Sequence, residues 1–315
     1  MTDVTETGRR AGAPERGERE AMVTPGADDP VGADEHEPVE LAPVHVPRPT
    51  GSRLRRWAAT AAPPAVLAVA VIGLWYFFSY VVLAPRRRFM LQPPHRVIEV
   101  GFLRWDNLSE LLDGLYWSTR VALIGLLISI VLGITIAVLM SQAATIERAV
   151  FPFMVMLQAI PILAIVPLIS FWFGTGENAR VIVCVLISLF PIIVNTLFGL
   201  QSAERGLHDL FTLQHAGRWT RLRKLMFPAS LPAMFAGLRI SAGLSVIGAI
   251  VGDFFFGRGK PGLGQLLKRY ASRIEGEQLL SAVIVSSLLG VVVFLLFGWL
   301  QRKATGNWHE SAGAP

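Results

Sequence analysis

Residues 208–253 read HDLFTLQHAGRWTRLRKLMFPASLPAMFAGLRISAGLSVIGAIVGD. The stretch opens as a basic, partly apolar segment. It passes Pro228 and Pro232 and becomes a long apolar run that carries only Arg239 and Asp253 as charges. Run length decides the fold, because a spanning helix needs roughly 20 apolar residues. Residues 230–256 supply them, and so do 57–84, 121–140, 149–173, 181–200 and 279–300, none of which holds an Asp, Glu, Lys or Arg. The chain is 52% hydrophobic and 17% charged, against about 45–50% and about 25% in soluble domains. In lipid only helices and closed barrels satisfy their own backbone. Continuous apolar runs, without alternation, exclude the barrel. The expected fold is therefore an all-α membrane protein of six transmembrane helices, at about 57–84, 119–140, 149–173, 180–200, 230–255 and 279–300.

The rest of the chain divides around these spans. Residues 1–50 hold 11 Asp/Glu, 5 Lys/Arg and 7 of the 20 prolines, leaving 24 basic and 12 acidic residues to the remainder. Such a segment buries too little to offset its ordering entropy. An acidic, Pro-rich disordered tail over 1–52 is expected, with the six-span domain at 53–305 and a short tail at 306–315. Arg53, Arg55 and Arg56 abut the first span and favour a cytoplasmic amino terminus. Counted over all segments between spans, Lys and Arg number 12 on that side and 11 on the other, so charge barely orients the chain. Residues 85–118 and 257–278 fall on one side and are expected to form short interfacial helices; 201–229 falls on the other. The lone Cys184 lies within a span and excludes an intrachain disulfide.

Within 201–229, Leu207, Leu210, Phe211 and Gln214 recur at i, i+3, i+4 and i+7. A helix over 204–214 would gather Leu207, Leu210 and Phe211 into one apolar stripe. Ala216-Gly217 would end it, and 218–227 would form a second helix. Two roles fit this pattern: an amphipathic hairpin on anionic headgroups, or a docking surface for another protein.

The loop resembles the cytoplasmic coupling loop of the inner-membrane permease subunits of ABC importers. That family shows Glu-Ala-Ala, three residues, a Gly and a later Leu-Pro. Leu231-Pro232 keeps its place here, Asp209 stands at the Glu position, Leu210 and Phe211 at the Ala positions, and His215 at the Gly position. Ala236-Gly237-Leu238-Arg239-Ile240 and Ile247-Gly248-Ala249-Ile250-Val251-Gly252-Asp253 look like the fifth span of the nitrate, sulfonate and taurine branch. Pro161, Pro167-Leu168 and Phe171-Trp172-Phe173-Gly174 look like its third span. Pro191, Asn195-Thr196 and Gly199-Leu200 match its fourth, and Gly262-Leu263-Gly264 the turn after the fifth. Two departures stand out. His215 replaces a Gly that reaches φ > 0 freely, and Gly217 could supply the turn instead. Leu210-Phe211 make the stripe larger and more apolar.

The resemblance implies a function. The chain would be the permease of an ATP-driven importer, paired with a second permease copy in a homodimer, two cytoplasmic ABC ATPase subunits and an extracytoplasmic solute-binding protein. Leu207, Asp209, Leu210, Phe211, His215, Ala216 and Gly217 would couple it to the ATPase. ATP with magnesium would bind that partner, and this chain would bind no cofactor of its own. The chain lacks a Gly-x4-Gly-Lys-Ser/Thr string. The branch implies a small anion such as nitrate or a sulfonate, or a small heterocycle such as a thiamine precursor or riboflavin. The setting would be a bacterial plasma membrane, with both termini cytoplasmic.

The remaining motifs are weighed against blander readings. Gly257-x-Gly259-x-x-Gly262 matches the dinucleotide fingerprint in letters. It lacks the strand and βαβ context that fingerprint requires, so a Gly-rich turn is expected. Pro161, Pro167 and Pro191 remove backbone donors inside spans. Freed carbonyls at membrane depth persist only beside protein or water, so Gln158, Pro161, Pro167 and Asn195 are the expected lining of a translocation path. Asp253 is placed there too, at a pore mouth. Arg239, about 21 Å from Asp253 at helical rise, cannot pair with it and is expected to be structural, bonding carbonyls or an acid on the inner side. Gly248-x-x-x-Gly252 permits close helix approach. No metal-ligand cluster, catalytic constellation or nucleic-acid-reading element is present in the sequence. The rival class, a carrier or channel working without ATP, would need ion-coupling acids. Apart from Asp253 the runs offer none.

Overall fold

The structure, a computed structural model, describes residues 53–306; the expected tails, 1–52 and 306–315, lie outside them apart from Gly306. Eleven α-helices follow in order among the described residues: α1 Arg53–Phe77, α2 Pro94–Ile98, α3 Trp105–Ser141, α4 Ala144–Ala159, α5 Ile162–Phe173, α6 Glu177–Gln201, α7 Arg205–Leu213, α8 Arg218–Arg221, α9 Phe227–Phe255, α10 Leu263–Arg273 and α11 Gly276–Thr305. Five helical stretches are long and apolar enough to cross a membrane, and counting the α4–α5 pair, bent by 97°, as one span gives six.

The bend follows from Pro161. Proline disfavours the helical region for the residue before it and has no N–H to donate. Ile160 is accordingly extended (φ −70°, ψ 123°) and α4 ends there. The stretch expected as the third span is thus two helices meeting at Pro161, a broken span or a re-entrant loop. Two further expectations are corrected. Residues 105–118 are the first turns of a 37-residue α3 and not a separate interfacial helix. Residues 218–227 run into the fifth span, so that Arg218–Phe255 forms one 38-residue stretch. A wide π turn at Leu222–Met226 carries it into Pro228. Such a turn relieves the clash of the proline ring with the preceding turn.

Small residues set how closely the spans approach. Gly125 meets Cys184, Ser129 meets Ser188 (Oγ–Oγ 2.8 Å) and Gly133 meets Ile192, each pair 59 positions apart, so α3 and α6 run parallel. Along the other seam, Gly237 meets Asn195, Gly248 meets Cys184 and Gly252 meets Arg180. Partner numbers fall as α9 numbers rise, so α6 and α9 are antiparallel. A Cβ on Gly248 would stand 2.7 Å from the Cα of Cys184. Cys184 is thereby held between a glycine of α3 and a glycine of α9. In lipid, where apolar burial drives little helix association, this backbone proximity supplies the packing. α9 is the hub, with half of its most apolar window buried, against 6% for the first span.

Two glycines of α9, one in the α6 seam and one outside it, predict opposite responses. Gly248→Ala should lower the thermal midpoint of the detergent-purified protein, by an overpacking cost of about 1–3 kcal/mol. Gly243→Ala, whose Cβ would meet nothing within 4 Å, should leave the midpoint unchanged or raised. Equal losses in both would sink the seam assignment.

Candidate functional site

Three places on α6 and α9 carry the chemistry, and a buried ion pair fixes their geometry. Arg180, in the first turn of α6, is 3% exposed, and Asp253, in the last turn of α9, is fully buried. Arg180 Nη1 lies 3.0 Å from Asp253 Oδ1. The same guanidinium donates to the carbonyls of Phe256 (3.1 Å), Arg258 (2.7 Å) and Lys260 (3.0 Å). Ser118 of α3 donates to Asp253 Oδ2 and accepts from the Leu263 N–H (2.8 Å). Three spans and the turn into α10 are tied at one point.

This cluster explains the glycines that mimic a dinucleotide fingerprint. A Cβ on Gly262 would collide with the Asp253 carboxylate, and one on Gly264 with the backbone of α9. Gly259 has φ 100°, a region open to glycine. The string is a turn wrapped over an ion pair. α10 is pinned further by Glu110 of α3, which accepts from Tyr270 Oη (2.5 Å) and pairs with Arg269 (2.5 Å). Burial, and then Glu110, pushes the Tyr270 phenol above its ordinary range. Asp253, expected at a pore mouth, is thus enclosed and paired. Arg180, counted among the loop charges, is its partner: a charge one residue before an apolar run reads as a boundary, and nothing local shows that it turns inward.

At the other end of α6, Gly199 packs on Ser230, and α7 hangs from that junction. Leu207, Leu210 and Leu213 are 42%, 47% and 78% exposed, a stripe at i, i+3 and i+6. Phe211, expected in the stripe, is half-buried, and Asp209 is exposed. The helix ends in a Schellman turn: Ala216 N–H donates to the Phe211 carbonyl (2.9 Å) and His215 N–H to that of Thr212 (3.0 Å). His215 itself takes the left-handed conformation, φ 50°. Gly217 does not supply the turn; it is extended, φ −64° and ψ 159°, ahead of α8. The half-buried Ala216 and Phe211 occupy the positions whose apolar contact accompanies such a turn. Arg221 donates to Thr212 Oγ1 (2.8 Å), bracing α8 against α7.

The broken span faces the third place. A cavity of about 410 Å³ is walled by Leu157, Gln158 and Pro161 at the break, Ile187, Phe190 and Pro191 of α6, and Leu244 of α9, among others. Gln158 and Pro161 are where a path lining was expected. Pro167 is exposed on α5 outside the wall, and Asn195 turns back to the Pro191 carbonyl (2.8 Å) beneath Gly237. Pro161 and Pro191 leave the carbonyls four residues earlier, on Leu157 and Ile187, without their helical donors. Both residues belong to the wall, which includes no charged side chain.

Comparison with known proteins bears on all three places. Residues 129–306 match the binding-protein-dependent transport system inner membrane component family. The chain belongs to that family.

It is similar to the formylaminopyrimidine transport permease of Halalkalibacterium halodurans, 34% identical over 241 residues, 76% of this chain and 93% of that protein. The riboflavin transport permease of Chloroflexus aurantiacus is 34% identical over 165 residues, 52% of this chain and 60% of that protein. The nitrate import permease of Leptolyngbya laminosa is 24% identical over 246 residues, 76% and 86% of the two. The fold matches the inward-facing MetNI methionine ABC transporter with TM-score 0.57 at 17% identity, over 64% of this chain and 99% of that one. The chain is an ABC importer permease and a multi-pass inner-membrane protein. The family match spans Arg180, α7, the break at Pro161 and Asp253. The first span of this permease lies outside it.

Removing one member of a buried ion pair leaves the other uncompensated, at about 3–5 kcal/mol. Asp253→Ala should therefore strongly reduce the folded permease recovered from membranes. Arg180→Met with Asp253→Leu should recover more than either single change, as read by fluorescence-detected size exclusion. At His215, Gly should preserve the loop, whereas Val, β-branched at positive φ, should open it to limited proteolysis at 213–218. A Val variant as resistant as the parent would refute the Schellman reading.

Proposed function

We propose that this permease works as a homodimer driven by two ATPase subunits, with α7 as the element that seats in each ATPase. The observation that carries this is the stripe of Leu207, Leu210 and Leu213, exposed on a short helix whose end is fixed by the Schellman turn and the Arg221–Thr212 bond. Exposed apolar patches of this kind mark protein contacts, and a pre-shaped helix loses little entropy on docking. The α7 end is then cytoplasmic, and with six spans both termini share that side. The α10 end faces the solute-binding protein. ATP with its magnesium is hydrolysed on the partner subunits.

Force on α7 enters the bundle where Gly199 meets Ser230 and spreads along the α6–α9 seam to the cavity at the Pro161 break. Gln158, Pro161 and Pro191 line the path there. Pro167 and Asn195 act beside it, shaping α5 and holding the α6–α9 seam. Asp253 acts at its far end as an anchor. An ATP-independent carrier would need a titratable acid in the spans. The acid that the apolar runs contain is bound to Arg180, which supports the ATP-driven reading.

The cavity also bears on the substrate. An uncharged wall offers a nitrate or sulfonate no counter-charge. The Gln158 amide, the aromatic Phe190 and unpaired backbone groups suit a neutral, planar heterocycle that both donates and accepts hydrogen bonds. Two relatives named for pyrimidine and riboflavin transport agree with that chemistry. We place the substrate in the class of small pyrimidine-like heterocycles.

Leu210→Glu should leave insertion intact but reduce co-purification of the ATPase by about tenfold or more, the loss expected of a contact worth about 2 kcal/mol, and abolish uptake in reconstituted vesicles. ATPase recovery and transport at parental levels would overturn the coupling proposal. Gln158→Ala should raise the KM for formylaminopyrimidine uptake about fivefold, one hydrogen bond's worth, with ATPase recovery unchanged. Uptake of nitrate in preference to the pyrimidine would overturn the substrate class.

A further inference from the structure

Arg239 is the charge in the spans that neither the ion pair nor the path explains. No hydrogen bond or ion pair reaches its guanidinium among the described residues, and its Nε is buried without a partner. Its Cζ stands 3.9 Å from the centre of the Phe294 ring, and the guanidinium packs against Gly298 one turn further along α11. From Gly298 to Arg302 is about 6 Å of helix, within reach of the headgroup region for a long side chain. Lys303 follows, over the ring of Trp299 at 5.3 Å. Three cations therefore gather at the α7 end of the α9–α11 pair.

A groove begins where Arg239 ends. Ile240, Gly243, Ile247 and Ile250 of α9 face Gly290 and Phe294 of α11 around about 590 Å³ of open, largely apolar space, with Ser286 and Ser287 of α11 the polar residues in its lining. A Cβ on Gly243 or Gly290 would meet nothing within 4 Å. These glycines leave a slot open, unlike Gly248 and Gly252, which close a seam. From residue 240 to 250 the slot runs about 15 Å, half of a bilayer core of about 30 Å and so one leaflet deep. A cation cluster at the mouth of a leaflet-deep apolar slot has the chemistry of an acyl chain with a phosphate at its end. A second copy of this chain fits less well. The acid inside its apolar runs is Asp253, already bound to Arg180, so a copy brings no counter-charge to this depth.

We propose that the α9–α11 groove is a binding site for an anionic phospholipid. The phosphate pairs with Arg239, Arg302 and Lys303 supply the surrounding positive field, and one acyl chain lies in the slot along Gly243 and Gly290. The lipid then stands against the face of α9 opposite the α6 seam and steadies the span that α7 drives. This needs the membrane fold alone and is independent of the substrate and coupling readings.

The test is lipid retention by the purified full-length permease, read by native mass spectrometry, with thermal midpoints after addition of phosphatidylglycerol or phosphatidylcholine. The parent should retain phosphatidylglycerol in preference and gain midpoint from it alone. Arg239→Gln should reduce that retention about tenfold, the worth of one charge-assisted hydrogen bond. Gly290→Leu, whose Cβ would meet nothing within 4 Å and whose branch would occupy the slot, should reduce retention with every cation in place. Phosphatidylglycerol retained at parental level by a folded Arg239→Gln protein overturns the proposal. So does unchanged retention in Gly290→Leu, which decides the matter if Arg239→Gln does not fold. Dissociation of a permease dimer by Arg239→Gln with lipid unchanged would assign the cation to a second copy instead.

Discussion

The antiparallel approach of α6 and α9 is the constraint on which the rest of the molecule depends. A hydrocarbon solvent gives apolar side chains little reason to prefer each other over lipid, so contact distance does the work that burial does in water. Gly237, Gly248 and Gly252 bring the α9 backbone onto α6 at three levels. The Arg180–Asp253 pair then locks the seam at one end. A buried ion pair is weak evidence for stability in itself, since desolvation offsets much of the attraction. Its contribution here is register. Asp253 meets Arg180 at one relative sliding of the two helices, and the turn carbonyls of Phe256, Arg258 and Lys260 complete the guanidinium at that position only.

A seam fixed in register transmits motion. Gly199 on Ser230 joins the seam to the segment that bears α7, and Leu244 of α9 enters the wall of the cavity at the Pro161 break. Under the proposed coupling, force applied to α7 would meet two close-packed spans, with the 97° break beside them. The lock at the α10 end serves as the far anchor against which such a movement would act.

Much of this was legible in the sequence, and what escaped did so for identifiable reasons. Span positions follow from charge-free run lengths, which lipid enforces without reference to tertiary structure. The small-residue face of Gly248 and Gly252 was legible for the same reason. Pro161 announced an interruption, but the angle depends on what α5 packs against. Arg180 reads as a loop charge in the sequence because its neutralising partners lie some 70 to 80 positions away, at Asp253 and the following turn. The periodicity puts Phe211 in the exposed stripe and leaves Leu213 out, because it allows a 100° choice of face that only packing settles. His215 is the subtlest case. A side chain costs more than glycine in a left-handed turn, yet two backbone hydrogen bonds hold it there.

The glycines of α9 show that one residue type performs opposite tasks on two faces of a helix. Gly248 and Gly252 are filled by the backbone of α6, and any side chain there would wedge the seam apart. Gly243, on the face toward α11, is met by nothing, and with Gly290 it leaves a groove that begins beside an unpaired Arg239. A span that must stay fixed to one neighbour while shifting against another needs this asymmetry. Interdigitated packing on both faces would immobilise it, whereas a slot filled by a lipid chain leaves one face close-packed and the other deformable. The unpaired cation fits the same logic. A charge satisfied by a lipid headgroup holds α9 to the membrane, and its contact with α11 is the Phe294 ring and Gly298 rather than a hydrogen bond or ion pair among the described residues, so α9 can follow α6 without first breaking a polar bond to α11.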